Sequence, residues 1–188
     1  MEFLKIRFAV AALVAMSMCG CVGQSRPLIR EYFDETTAAT IREVTEPWLF
    51  VRERPEAAVN AGDYVSLAGF DVNRSGEHRT YLIVRAWSTI DRAVWRAFAA
   101  PALQIIADGR VLTPELIDAD PRSIGLGTLQ KERRGLHRWI YAVDAEPCGF
   151  ISHALHVQVS LRHADRVVTL TQANKGGDGL SQICAENG

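Results

Sequence analysis

The sequence predicts an all-β domain, mainly an antiparallel β-sandwich or barrel-like sheet, with one or two short helices. Two observations carry this prediction. Short runs rich in β-branched residues alternate apolar and polar positions, and turn-forming residues separate these runs. The chain has 188 residues, of which 48% are hydrophobic and 23% charged, which suits one folded core and excludes disorder.

The clearest strands lie in the last third of the chain. Residues 156–162 alternate apolar and polar side chains, which indicates a strand with one wet face. A short turn follows, and residues 166–172 return as the second strand of a hairpin. A second hairpin is predicted at the preferred turn pair 108–109, where it joins residues 103–107 to residues 110–113.

A third hairpin is predicted nearer the start of the domain. It runs through residues 64–67 and 70–73, turns over residues 74–77 and returns along residues 80–87. The returning strand is apolar on both faces, which predicts a central position in the sheet. Three further strands are predicted at residues 39–44, 48–52 and 138–143.

Helix signals are fewer. Ser88 and Asp91 form a candidate capping box, and apolar residues at helical spacing follow it before Pro101. Residues 55–62 could add one or two helical turns that end at Gly62.

The first residues of the chain have the pattern of an export signal. Lys5 and Arg7 form a short positive region, and residues 8–16 are an apolar run too short to span a bilayer. Residues 18–21, Met-Cys-Gly-Cys, then resemble the lipobox of bacterial lipoproteins, whose usual form is Leu-(Ala/Ser)-(Gly/Ala)-Cys. Cys21 matches the lipid-bearing cysteine, while Met and Cys at the first two positions depart from the usual pattern.

This resemblance implies a small lipoprotein of a Gram-negative envelope. The sulfur of Cys21 would carry a diacylglyceryl group and its amine an acyl chain, which together anchor a protein stably. Val22, where Asp would favour the inner membrane, implies the periplasmic leaflet of the outer membrane. Two alternatives remain: Cys19 as the modified residue, or a signal peptide whose cleavage releases a soluble periplasmic protein.

The implied organisation is a signal peptide at residues 1–20, an acylated tether at 21–30 and one β-rich periplasmic domain at 31–188. Cys148 and Cys184 lie sixteen residues before and twenty residues after the predicted turn at Ala164, so a hairpin returns them to the same end of the sheet. We therefore predict a disulfide that staples the C-terminal tail, as an oxidising periplasm permits. The alternative is a pair of free or metal-binding thiols, for which the sequence has no CxxC motif.

Candidate catalytic and metal-binding patterns are incomplete. His153 and His156 are spaced for a shared helix face but lack an obvious third ligand. Asp118 and Asp120 could begin a calcium loop, but the glycine and glutamate that such a loop requires are missing. Residues 179–183 lack the final glycine of a nucleophile elbow. We therefore expect no enzymatic activity, no cofactor and no metal.

The formal net charge is −1 and the aromatic residues do not cluster among arginines, so nucleic-acid binding is not expected. Trp95, with Arg92 and Arg96 beside it, could lie on an exposed segment and contact a partner, or could belong to the core. The expected function is a membrane-anchored accessory or protein-binding subunit of an envelope assembly. The alternatives are a periplasmic small-ligand or lipid-binding β-domain and, third, an enzyme that uses His153, His156 or Asp118.

Overall fold

The computed structural model describes residues 27–59, 61–91, 93–129 and 135–185. The protein is mainly antiparallel β with two short helices, which confirms the predicted fold class. The strands within these ranges are β1 Ile29–Asp34, β2 Ala39–Val44, β3 Trp48–Glu53, β4 Gly62–Arg74, β5 Glu77–Ser88, β6 Ala102–Ala107, β7 Arg110–Leu112, β8 Glu115–Leu116, β9 His137–Ala142, β10 Val157–His163 and β11 Arg166–Asn174. The helices are α1 Ala145–His153 and α2 Gly179–Ala185, and a single 3-10 turn spans Val94–Ala97.

The strands form one curled sheet. Nine of them are hydrogen-bonded in the order β7-β6-β10-β11-β3-β4-β5-β9-β8. Outside this order, β2 pairs with β4, and β1 pairs with β2. The two ends of this path, β7 and β8, are joined by only Thr113 and Pro114. A flat sheet of nine strands would be about 38 Å wide, whereas a linker of this length spans at most about 11 Å. The sheet therefore curls into a half-barrel.

The central strands are buried on both faces. Val65 and Leu67 of β4 face an inner core inside the curl, while Phe70 and Val72 face an outer core on the convex side. The side chains of the adjacent strand β5 likewise alternate between the two cores. Because β5 lies between β4 and β9, the predicted central position of residues 80–87 is confirmed. Strands buried on both faces have no polar side to alternate, which explains the continuous apolar pattern.

A long loop covers the outer core. The segment 117–129 lies across the convex face and contributes the buried side chain of Leu126. Gly125 makes this close approach possible, because a Cβ atom added there would lie 2.5 Å from Val72 Cγ1. Its φ angle of +92° also lies in the left-handed region, which favours glycine.

Two local predictions are confirmed and two are wrong. The turn at Asp108 and Gly109 has positive φ at both positions, as a two-residue hairpin turn requires, and the hairpin of β10 and β11 forms as predicted. The Ser88 hydroxyl accepts from the Asp91 amide as the predicted cap would, but only the 3-10 turn follows and no α-helix forms. The described residues of 55–62 form turns rather than a helix.

The two helices lie where none was predicted. The predicted disulfide between Cys148 and Cys184 is present, with a Cα–Cα distance of 5.3 Å, and it joins α1 to α2. Both cysteines are buried against the inner core together with Ile151 of α1 and Ile183 of α2. The disulfide thus fixes the C-terminal tail to the sheet.

Candidate functional site

The main candidate site is a cleft at the rim of the half-barrel. It lies between residues 96–100, residues 116–121 and the first part of β9, and its volume is about 420 Å³. We call it the rim cleft. The side chains on which its chemistry depends are Arg96, Asp118, His137, Arg138 and Trp139.

The backbone of the inner wall of the rim cleft is fixed by hydrogen bonds from side chains of the sheet. Three consecutive carbonyl oxygens each accept a hydrogen bond from a ring donor. The pairs are Trp139 Nε1 to Ala99 O at 3.3 Å, His163 Nδ1 to Ala100 O at 3.3 Å, and Tyr141 Oη to Pro101 O at 2.9 Å. Burial raises the pKa of Tyr141, so its phenol keeps the proton that it donates. The wall is therefore in place before any ligand arrives.

The outer wall begins where β8 leads into the covering loop. The Ile117 amide donates to the carbonyl oxygen of Ile140 at 2.8 Å, which joins the start of the loop to β9. Farther along, the loop is tied to the sheet by Asp34, whose carboxylate accepts from the Thr128 amide at 2.8 Å. Both ends of the loop are thereby fixed to the strands beneath it.

The charged residues of the described lining are two arginines and one aspartate. Arg96 is exposed and forms no ion pair with any residue in the described ranges, and Arg138 is half-buried on β9. Asp118 is the acidic side chain among the described lining residues. The His137 ring stacks on Trp139, with centroids 6.2 Å apart and planes 19° from parallel. Arg138 is already engaged in an interaction of its own, so its charge is not counted as available to a ligand.

The predicted partner-binding residues are divided by the structure. Trp95 is fully buried, so the prediction of an exposed contact is wrong for this residue. The 3-10 turn directs its indole inward, where it packs 5.5 Å from Phe98 and 6.4 Å from Trp139, measured between ring centroids. Arg96 is exposed and lines the rim cleft. Arg92 and Cys21, the predicted lipidation residue, lie outside the described residues.

The other candidate residues are dispersed. His153 is the last residue of α1, and His156 Nδ1 lies 3.8 Å from Asp108 Oδ1. Asp120 accepts from the Arg122 amide at 3.0 Å, so it forms the turn that its position before Pro121 indicates. In the part of the chain that the structure describes, no group of three His, Cys, Asp or Glu residues is placed to hold a metal ion.

His137 and Arg138 were not predicted as site residues. Their strand was predicted, but the sequence carries no signal that its first residues meet a segment forty positions earlier. None of the helices within the described ranges has the length and apolar character needed to cross a membrane. Comparisons with protein-family models, with curated proteins and with solved structures find no match to this chain.

Proposed function

We propose that this protein is a non-enzymatic lipoprotein of the bacterial envelope that binds another envelope protein through the rim cleft. The observation that carries the binding proposal is the cleft itself. It is concave, its inner wall is fixed by three hydrogen bonds, and its residue Arg96 is exposed without an ion pair to any described residue. A binding site that already has its bound conformation pays a smaller entropic cost when its partner binds. A wall fixed in this way therefore suits recognition of a partner.

The interior of the half-barrel favours protein binding over lipid binding. A lipid-binding domain needs a hollow apolar interior, but here large side chains fill the concave face. Phe50, Trp95 and Tyr141 are fully buried there, and α1 and α2 pack against the same core. The small-ligand alternative is instead supported by the rim cleft, since 420 Å³ falls within the usual size range of ligand pockets.

The envelope location rests on the lipobox and is supported by the disulfide. Disulfides persist in oxidising compartments such as the bacterial periplasm. Cys21 precedes Pro27, the first described residue, by six positions, which limits the separation of their Cα atoms to about 22 Å. An anchor at Cys21 would therefore keep the domain close to the membrane surface, where we place it at the inner leaflet of the outer membrane.

One experiment on the full chain in growing cells tests both parts of the proposal. Labelled palmitate should be incorporated by the wild-type protein and by Cys19→Ser, but not by Cys21→Ser. In the same strains, a photo-crosslinking amino acid replaces Ala119, which is exposed and lines the rim cleft. We expect one discrete crosslinked protein from that position.

The control position is Leu155, which is 78% exposed at the opposite end of β10 from His163 and the cleft wall. Crosslinking from Leu155 should not give the same product. Unlabelled wild-type protein would refute the anchor. Identical products from Ala119 and Leu155, or no product from either, would refute partner binding at the rim cleft.

A further inference from the structure

We infer that the outer edge of β1, the edge away from β2, pairs with β1 of a second copy of this chain, so that the sheet continues across a two-fold axis. Among the strands of the described ranges, β1 is hydrogen-bonded to β2 alone. The other terminal strands, β7 and β8, have three and two residues, whereas β1 has six. A long edge strand offers a row of backbone donors and acceptors to another strand.

The register of β1 and β2 determines which backbone groups face outward. The Thr45 amide donates to the carbonyl oxygen of Leu28 at 3.0 Å, and these two residues continue the register of the hairpin by one pair. In an antiparallel pair, alternate residues bond to the partner strand and those between them point away from it. Ile29, Glu31 and Phe33 therefore direct their N–H and C=O groups away from β2.

The side chains of β1 leave this edge open to a second strand. Edge strands are commonly protected by proline or by charged residues, and β1 contains no proline. Its exposed charges are paired within the hairpin, since Arg30 Nη2 lies 2.7 Å from Glu43 Oε1 and Arg42 Nε lies 3.6 Å from Glu31 Oε2. Phe33 is 61% exposed and belongs to neither of the two cores. A large apolar side chain thus lies at the outer edge.

One antiparallel register pairs all three outward residues of each strand. It places Glu31 opposite Glu31 of the second copy on the two-fold axis, and it places Ile29 opposite Phe33 on both sides of the axis. Each pair exchanges two backbone hydrogen bonds, and an aromatic residue opposite a β-branched one is a favourable cross-strand pair. A shift of two residues in either direction leaves an outward residue of each strand without a partner in β1. The strand therefore complements itself, which identifies the occupant as a second copy.

The proposed anchor also favours a second copy, and this step alone rests on the proposed function. Cys21 precedes Ile29, the first residue of β1, by eight positions. The two-fold axis makes the starts of the two β1 strands equivalent, so both tethers can reach one membrane. Molecules held at the same surface meet at a higher effective concentration, which favours pairing between copies.

Cysteine crosslinking of the purified full chain tests both the pairing and its register. Every protein carries Cys19→Ser and Cys21→Ser, so the native disulfide contains the other cysteines and no lipid is attached. Single cysteines are then introduced in β1, and copper phenanthroline serves as the oxidant. Disulfide-linked dimers are measured on non-reducing gels.

The proposed register predicts a specific pattern of dimers. Glu31→Cys should link to itself, because directly opposite residues have Cα atoms about 5.5 Å apart, within disulfide range. Phe33→Cys should not link to itself, since its two copies would be about 14 Å apart, but it should link to Ile29→Cys when the two proteins are mixed. Val111→Cys, at a 57% exposed position on the edge strand β7, is the control and should remain monomeric. Absence of the Glu31→Cys dimer, or equal yields from all positions, would overturn the inference.

Two substitutions at Glu31 test the charge and the backbone, with the link between Ile29→Cys and Phe33→Cys as the readout. Glu31→Gln should raise the yield about twofold to threefold, because it removes like charges that face each other on the axis. Glu31→Pro removes the outward N–H and should lower the yield about 10-fold. Its thermal unfolding midpoint should stay close to that of the parent protein, since proline is tolerated where an edge N–H faces solvent. An unchanged yield in Glu31→Pro would contradict strand pairing.

These outcomes are separate from those of the proposed function, because the crosslinked proteins carry no lipid. Failure of the cysteine pattern overturns the pairing of β1 and leaves the anchor and the rim cleft unaffected. Absence of palmitate from the wild-type protein refutes the anchor, while a dimer of Glu31→Cys would still support the pairing.

Discussion

Asp34 is a fully buried carboxylate that ties the covering loop to the sheet. It accepts hydrogen bonds from the Thr36 amide at 2.9 Å, the Thr36 hydroxyl at 2.6 Å and the Thr128 amide at 2.8 Å. Burial by itself raises the pKa of this carboxyl, but the hydrogen bonds from Thr36 and Thr128 outweigh burial and lower the pKa overall. The ionised form is therefore the form that the folded protein stabilises.

The direction of this shift fixes how stability depends on pH. Because the pKa of Asp34 is lower in the folded protein than in the unfolded chain, its contribution is fully present above the unfolded value of about 3.9. The contribution is lost as the pH falls from there through the folded pKa. Asp34→Asn should cost about 2 kcal/mol of unfolding free energy at pH 7, with a smaller difference from wild type in acid.

Urea unfolding at pH 7 and at pH 3 measures both effects. The matched control is Asp165→Asn, in the exposed turn between β10 and β11, which should change stability little at either pH. A stability loss in Asp34→Asn that is as large at pH 3 as at pH 7 would contradict the ionised role of Asp34.

The individual residues also show what sequence can and cannot predict. The positive φ angles at Asp108 and Gly109 were predictable, because a two-residue turn demands them locally. The burial of Trp95 was not, since two arginines beside it in the sequence suggest an exposed segment. Its environment comes from Phe98 and from Trp139, a residue more than forty positions away. Arg96 and Arg138, which both line the rim cleft, are likewise more than forty positions apart in the sequence.

Helix α2 is held in place by tertiary contacts rather than by its own sequence. It has seven residues, and isolated helices of that length are unstable in water. Leu180 packs directly on β4, where Gly69 leaves the space, because a Cβ atom at that position would lie 2.6 Å from Leu180 Cδ1. The disulfide supplies the second attachment, through Cys184.

Removal of the disulfide should therefore destabilise the protein and release α2 first. The bond connects residues 36 positions apart, for which loop closure gives about 4 kcal/mol. In the double variant Cys148→Ala/Cys184→Ala, we expect amide hydrogen exchange to accelerate strongly over α2. Exchange in the central strands β4 and β5 should accelerate much less, because α2 can open without them.

Treatment with a reducing agent provides the control for this measurement. It should make the wild-type exchange pattern resemble that of the double variant and should leave the double variant unchanged. Equal acceleration over α2 and β4 would show that the helix unfolds only with the whole sheet.

These elements differ in how far sequence could predict them. Strands β10 and β11 alternate in polarity and are joined by a short turn, so local pattern was sufficient. Helix α1 contains Pro147 and Gly149, both poor helix formers, and α2 begins at a glycine. Local propensity opposed both helices, and burial against the inner core together with the disulfide outweighs it.

The two hydrophobic cores belong to one cooperative unit because they share strands. β4, β5 and β9 each contribute side chains to the inner core from one face and to the outer core from the other. Interiors are packed at nearly crystalline density, so a strand that loses its packing on one face cannot keep its position for the other. The link between β7 and β8 further prevents the sheet from opening flat.

We therefore expect a single unfolding transition, and two matched leucines can test it. Leu103 is fully buried in the inner core, and Leu126 is 1% exposed in the outer core. Each Leu→Ala change should remove about 2–5 kcal/mol from the same transition. Three of the four tryptophans, Trp48, Trp95 and Trp139, lie in the inner core, and replacing the fourth, Trp87, by Phe in every protein compared makes the fluorescence report on that side alone.

Far-UV circular dichroism reports on the entire sheet, and its transition should coincide with the tryptophan fluorescence transition in wild type and in both variants. The decisive case is Leu126→Ala, which alters the side opposite to the three tryptophans. Shared strands require the fluorescence midpoint to fall together with the circular dichroism midpoint. If Leu126→Ala moved the circular dichroism signal and left the fluorescence midpoint in place, the covering loop and outer core would unfold as a separate unit. The outer wall of the rim cleft would then also lack the rigidity that its binding role requires.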